Sequence, residues 1–269
     1  MLAGLNAITY HGTAGSEPTS VIENVQDFDE KLQRGAATTF NRSTTGFEEV
    51  VTALGEGSCD LTITYGAGLQ VGLAAVSTYG TAGAPPATPI TGVRNVKWGI
   101  KTDTAKSSDR DSDWTQKLPA KRKATTSFGI TWDATDTSLV ALKAAFDART
   151  EISLGHKNAT GGSGITGDCF VSGFDHSQPL EDGMSVEVTV EFNGKPTLVV
   201  SAGTGQAAIQ NACLNGTLIA LGHRDETNGY GRWADCVVSF DCDWPLDGEW
   251  TMSVSAEYAE EPTELIPTP

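Results

Sequence analysis

Residues able to act on a substrate are sparse in this sequence and poorly spaced for it. No Gly-x-Ser-x-Gly, His-Glu-x-x-His or Gly-x-x-x-x-Gly-Lys-Ser/Thr segment occurs. The familiar nucleophile turn, zinc helix and phosphate cradle therefore have no starting point. Asp109-Arg110-Asp111-Ser112-Asp113 begins like a calcium loop, in which alternate carboxylates supply oxygen ligands. The next residue is Trp114 where the loop needs glycine, and the twelfth is Ala120 where it needs a bidentate Glu, so the stretch reads as a solvated acidic loop. Cys59, Cys169, Cys213, Cys236 and Cys242 contain no Cys-x-x-Cys pair and are odd in number, so they read as reduced, buried small hydrophobes. His156 and His223 recur in similar surroundings and read as structural, while His11 and His176 stand apart. Glu48-Glu49 and Glu181-Asp182 could serve acid–base chemistry, but surface charge is the simpler reading. Gly161-Gly162-Ser163-Gly164 reads as a hairpin tip. The sequence predicts no enzyme, no bound metal and no cofactor.

The chain that would carry any such chemistry has 269 residues, 39% of them apolar, and a net charge of −16. That is enough apolar material for a sizeable core, and it excludes a disordered chain. No 18-residue apolar run is present. The first residues, Met1 to Asn6, lack the basic and apolar regions of a secretory signal. The sequons at Asn41, Asn158 and Asn215 are then without consequence. A scattered charge of −16 repels phosphate and argues against sequence-specific nucleic-acid binding.

Internal repetition carries more information. Ile152-Ser153-Leu154-Gly155-His156-Lys157 matches Ile219-Ala220-Leu221-Gly222-His223-Arg224 at an offset of 67. Cys169, Val171 and Ser172 meet Cys236, Val238 and Ser239 at the same offset. After a slip to 66, Pro179-Leu180 meets Pro245-Leu246 and Val188 meets Val254. A weaker repeat lies upstream, where Arg42 meets Arg110, Phe47 meets Trp114, Leu61 meets Phe128, Ile63 meets Ile130 and Tyr65 meets Trp132. The repeats nest, so the sequence predicts two similar domains with the second inserted into the first: 1–90 plus 200–262, and 91–199, with 263–269 as a tail. Gly- and Pro-rich joints at 80–89 and 201–205 read as linkers. Leu69, Leu73 and Val76 have helical spacing, which blurs the junction.

Alternation of polar and apolar residues sets the fold class. Ser185–Phe192 and Thr251–Tyr258 alternate with period 2 and follow the turns Glu181-Asp182-Gly183 and Asp247-Gly248. Cys169–Phe174, Asp235–Phe240, Asp60–Tyr65 and Ser127–Trp132 read as further strands. A helix follows Thr135 or Asp136, with Leu139, Leu142, Ala145 and Phe146 on its apolar face. Its counterpart runs from about Gln206 to Leu214 and stops at Asn215-Gly216. The expected fold is mainly β: two antiparallel β-sandwich or barrel units, each with one flanking α-helix.

Charge is unevenly distributed. Residues 93–123 hold nine of the 18 Lys and Arg residues, among them Lys117, Lys121, Arg122 and Lys123. Residues 225–264 hold eleven acids and only Arg232 as a base. Opposite patches on one chain suit self-association, so the four basic residues are candidates for an assembly patch.

The order of features in 93–195 resembles the major tail (tail tube) proteins of long-tailed bacteriophages. A strand at Asn95–Ile100 precedes a long polar stretch, Thr102 to Lys123, carrying Ala105, Arg110 and Trp114. The strand ending in Trp132, the Asp-capped helix, the Ile152–Leu154 strand and a closing hairpin follow. The resemblance implies a structural virion protein whose rings stack into a tube through which DNA passes without specific binding, with an acidic lumen. It implies arms between rings at about 34–57 and 102–123, with Arg42, Phe47, Asp109, Arg110, Asp111 and Trp114 as candidate arm residues. It further implies tape measure, tail terminator and tail tip proteins as partners, no membrane, location in the virion tail and assembly in the host cytoplasm. Two units per chain lead to three chains per ring, a trimer with pseudo-sixfold symmetry. Two alternatives remain at the sequence level. One is a carbohydrate- or peptide-binding β-sandwich of a virion or surface protein, with Trp233, Trp244 and Trp250 as its platform. The other is a hydrolase on a β scaffold, for which no nucleophile–base pair is visible.

Overall fold

Strand β11 (Ser185–Phe192) buries Val186, Val188 and Val190 and turns Glu187 outward. Strand β15 (Thr251–Tyr258) buries Met252, Val254, Ala256 and Tyr258 and exposes Ser253 and Ser255. This period of two is what one buried face of an antiparallel sheet requires. A computed structural model describes residues 7–39, 49–64, 75–107, 114–158, 164–177, 184–199, 204–225, 229–245 and 249–266.

The remaining strands are β1 (Ala7–Thr13), β2 (Ser20–Val21), β3 (Val25–Thr39), β4 (Glu49–Thr64), β5 (Ala75–Thr81), β6 (Thr88–Pro89), β7 (Val93–Ser107) and β8 (Gln116–Thr131). They continue as β9 (Ile152–Asn158), β10 (Gly164–Ser177), β12 (Thr197–Val199), β13 (Ile219–Asp225), β14 (Gly231–Trp244) and β16 (Thr263–Leu265). All sixteen described strands join one open antiparallel network. Its main path runs β2-β1-β13-β14-β7-β8-β11-β10-β9-β5-β6. A branch leaves β14 through β15 and β4 to β3.

The same pairing pattern occurs twice. One set runs β1-β13-β14-β15-β4-β3 and the other β5-β9-β10-β11-β8-β7. Registers agree as well: Ile219 faces Cys236 as Ile152 faces Cys169, and Met252 faces Ile63 as Val186 faces Ile130. The stretch 80–89 that reads as a linker contains the end of β5 and all of β6. Val76, which reads as helical, lies in β5 and pairs with Lys157. Leu69 and Leu73 fall outside the described residues.

Each set carries one helix. Helix α1 (Thr137–Ala148) starts where the Asp136 carboxylate accepts the backbone N–H of Ser138 and Leu139, and it ends at Arg149 in the left-handed region. It lays Leu139, Leu142 and Ala145 on β10. Helix α2 (Thr204–Asn215) stops at Gly216, φ +65°, and sets Ile209, Ala212 and Cys213 in the core against β14 and β7. All five cysteines are buried and none forms a disulfide, so they act as small core residues.

Candidate assembly surface

The long polar stretches become two extended hairpins. β3 and β4 stay paired out to Thr39 opposite Glu49, and β7 and β8 out to Ser107 opposite Gln116. Beyond Thr102 and before Ala124 most side chains of the second hairpin are exposed, so the apolar alternation of its base is lost. Arg42, Phe47, Asp109, Arg110 and Asp111 fall outside the described residues, as does the stretch resembling a calcium loop. Trp114 is described and buried, with only 6% of its surface accessible.

Trp114 joins the two hairpins. It bridges to Gly55 of β4, and a Cβ on Gly55 would lie 2.9 Å from the indole. The Thr115 N–H donates to Gly55 O, and the Lys117 N–H donates to Ala259 O. The Lys117 side chain is 6% exposed, with its ammonium 3.1 Å from Glu257 Oε2 and 3.6 Å from Glu56 Oε2. Lys106 of β7 donates to the other oxygen of Glu56 at 2.6 Å, and that bond holds the Glu56 carboxyl below its ordinary range. Thr104 Oγ1 adds a hydrogen bond to Glu257. Two lysines, two carboxylates and one indole therefore clasp the arms of one chain together. Gly55, Glu56, Lys106 and Glu257 carry no motif, and only their strand registers reveal them.

The basic patch proves divided. Lys117 is consumed by the clasp. Arg122 donates to Leu214 O, and its guanidinium packs over Gly216, at the carboxyl end of α2 where a cation is favoured. Lys123 pairs with Glu191 at 2.7 Å. Lys121 is exposed. The acidic 225–264 region does meet the basic segment, but within one chain: Lys97 lies 3.2 Å from Asp243 and Lys117 3.1 Å from Glu257.

These contacts flank the seam where the two strand sets meet. Residues 96–100 of β7 pair with 240–244 of β14. Trp98 packs edge-on against Phe240 and Trp244, each at 5.5 Å, and Trp244 stacks on Trp250 at 4.7 Å. Trp244 and Trp250 are thus core residues and not an exposed platform, and Trp233 is half-buried. Gly99 lies so close to β14 that a Cβ would fall 2.4 Å from Phe240 O. On the opposite face of these strands the side chains are polar. Asp29, Lys31, Asp60, Ser253, Ser255 and Asp241 line a shallow groove there.

The recurring histidines have different settings. His156 is fully buried, with Nδ1 2.6 Å from Ser77 Oγ, and burial depresses its pKa to about 3. His223 is partly buried beside the Phe28 ring and Glu30, and burial lowers its pKa. The Ser77 hydroxyl beside His156 is buried with it and faces no cleft. Among the described residues, no group of three potential metal ligands occurs.

Comparison with known proteins bears on this architecture. Residues 73–198 match the family model described as phage tail tube protein. The match begins two residues before β5 and ends inside β12, so it spans one complete strand set with α1. No curated protein matches the chain. Among solved structures, the virion of a native gene transfer agent particle has a chain 16% identical, covering 46% of this chain and 95% of that one, with a TM-score of 0.39. The tail of an empty gene transfer agent particle gives the same identity, coverage and score. The SPP1 tail tube is 10% identical over 47% of this chain and 78% of that one, with a TM-score of 0.38.

Proposed function

We propose that this chain, which carries a phage tail tube protein segment over residues 73–198, is a structural virion protein whose rings stack into the tail tube. The observation that carries the reading is the doubled strand set, because the family match covers one set and the other repeats its order and register. The chain then holds two tube-like units, one inserted into the other. Strand pairing favours 75–199 for the inserted unit and 7–64 plus 204–265 for the outer one, since β5 and β6 bond to β9 and to each other. Tail tube rings with six such units would need three of these chains.

The polar sheet face supplies a lumen. Aligned around a closed ring, it presents hydroxyls and carboxylates to passing DNA, and the surplus of 34 acids over 18 bases discourages phosphate binding. The hairpins β3–β4 and β7–β8 extend beyond the core and are the parts able to reach an adjacent ring. DNA ejection and contacts with tape measure, terminator and tip proteins belong to the same reading. Electron microscopy of the purified protein tests it. Rings or tubes are expected at high protein concentration; a monomer at every concentration and salt would refute the proposal.

A further inference from the structure

The seam inside the chain serves as a template for a seam between chains. β14 uses one edge for β13 at residues 231–236 and for β7 at 240–244, while β15 occupies the other edge. β10 holds the same place in the second set: β9 takes residues 164–169 of one edge and β11 takes the other. Residues 174–177 of the β9 edge, which correspond to residues 240–243 that β7 covers on β14, have no strand partner on that edge among the described residues. At the far end of the network, β3 corresponds to β7, and among the described residues it pairs on one edge only, with β4. The chain thus presents one half of its internal seam at each end. Exposed strand edges of this length invite pairing.

Registers transfer residue by residue. Leu32 lies opposite Gly57 as Ile100 lies opposite Ala124, and Gly57 and Ala124 stand at equivalent places against β15 and β11. Phe174 faces Val188 as Phe240 faces Val254. We propose, on the basis of the tube reading, that β3 pairs antiparallel with β10 of a second copy of this chain in the register of the internal seam. That sets Leu32 against Phe174 of the partner subunit, Lys31 against the partner's Asp175, Glu30 against the partner's His176 and Asp29 against the partner's Ser177.

Side-chain chemistry agrees with this register. Leu32 is 39% exposed, large for an apolar residue, and the contact with the partner's Phe174 covers it, as Phe240 covers Ile100. Asp175 sits directly across from Glu187 within its own chain, a like-charge pair that a lysine relieves. Sliding β3 by two residues sets either Asp29 or Gln33 against the partner's Asp175 in place of Lys31, and a one-residue slip turns Leu32 to the wet face. The two seams differ in kind. The internal one is sealed by Trp98, Trp244 and Phe240, while the one between chains is lined by Glu30, Lys31, Asp175 and His176. A ring built this way alternates apolar and charged seams. At Gly99 the internal seam closes tighter than any side chain allows, so Lys31 holds the seam between chains at ordinary strand spacing.

Cross-linking tests the register. Cα atoms of facing antiparallel residues lie about 4.5–5.5 Å apart, within disulfide reach. Lys31→Cys with Asp175→Cys, oxidised after assembly, is expected to yield covalent chain pairs and triples at least about tenfold over Lys31→Cys with His176→Cys, which points the thiols to opposite faces. The natural cysteines are buried and do not compete. As a second measurement, Lys31→Asp should lower assembly, and adding Asp175→Lys should restore it. If micrographs show rings while the matched pair stays uncross-linked and the charge swap fails to restore assembly, the β3–β10 pairing is overturned and the tube reading stands. If the parent protein forms no oligomer, the tube reading falls and takes the pairing with it.

Discussion

Gly99→Ala offers a sharp probe of how the two strand sets are joined. A methyl group there meets Asp241 Oδ1 at 2.2 Å, Phe240 O at 2.4 Å and Asp241 Cα at 3.0 Å. The carboxylate can swing away, but the carbonyl and Cα belong to the β14 backbone. Ordinary contact starts near 3.4 Å, so β7 and β14 must separate by about 1 Å at this pair. Overpacking of this order costs about 1–3 kcal/mol, and a weakened ladder bond adds about 1 kcal/mol. The entropic gain of replacing glycine in a strand returns about 0.5–1 kcal/mol. The expected net loss is about 2 kcal/mol, which for a chain of this size lowers Tm by about 4–8 °C. Gly129→Ala is the control: it lies in β8, and the nearest atom to its added methyl is Arg94 O at 3.5 Å. Thermal and urea unfolding of both variants, followed by tryptophan fluorescence from the seam, decides the matter. Equal stability of Gly99→Ala and Gly129→Ala would refute the argument that the seam is closely packed.

Lys117→Met keeps the buried stem but leaves Glu56 and Glu257 without its cation; we expect destabilisation of about 1 kcal/mol in low salt, shrinking at high salt, in a urea titration. His156 is neutral in the fold, with a pKa depressed from 6.5 to about 3, so the unfolded chain takes up the proton first as pH falls. Stability is fully present above pH 6.5 and is lost between there and about pH 3, at up to about 1.4 kcal/mol per pH unit; His156→Gln should flatten this slope in equilibrium unfolding. Replacing residues 108–113 by Asn-Gly should leave the circular dichroism and Tm of the parent while abolishing long tubes in micrographs, whereas tubes of normal length would remove the arm assignment.

Different physical signals made parts of this molecule legible in its sequence and hid others. Strands β11 and β15 were readable because one face is buried and the other wet, so apolar residues alternate with Thr, Glu and Ser, whereas β14, buried on both faces from Ala234 to Val238, was readable from its apolar, β-branched run. The cap at Asp136 and the stop at Gly216 followed from backbone chemistry alone. The β5 strand was hidden because its order comes from pairing with β9, 71 or more residues downstream, while its own Gly-rich flank looks like a linker. The hairpin from 102 to 123 showed no apolar alternation because it leaves the core and most of its side chains are exposed. Charge segregation pointed to a real attraction, but composition is silent on geometry: Lys97 and Lys117 find Asp243 and Glu257 in the same chain. Burial of Lys117 had no signature, since a lysine in a basic run looks solvated until its neighbours are placed.

Cross-sectional reconstruction of the assembled particle tests the central claim most directly. Three chains per ring, giving six tube units and two alternating kinds of seam, is the predicted result. A ring of six whole chains, with one strand set of each lying outside the tube wall, would contradict it.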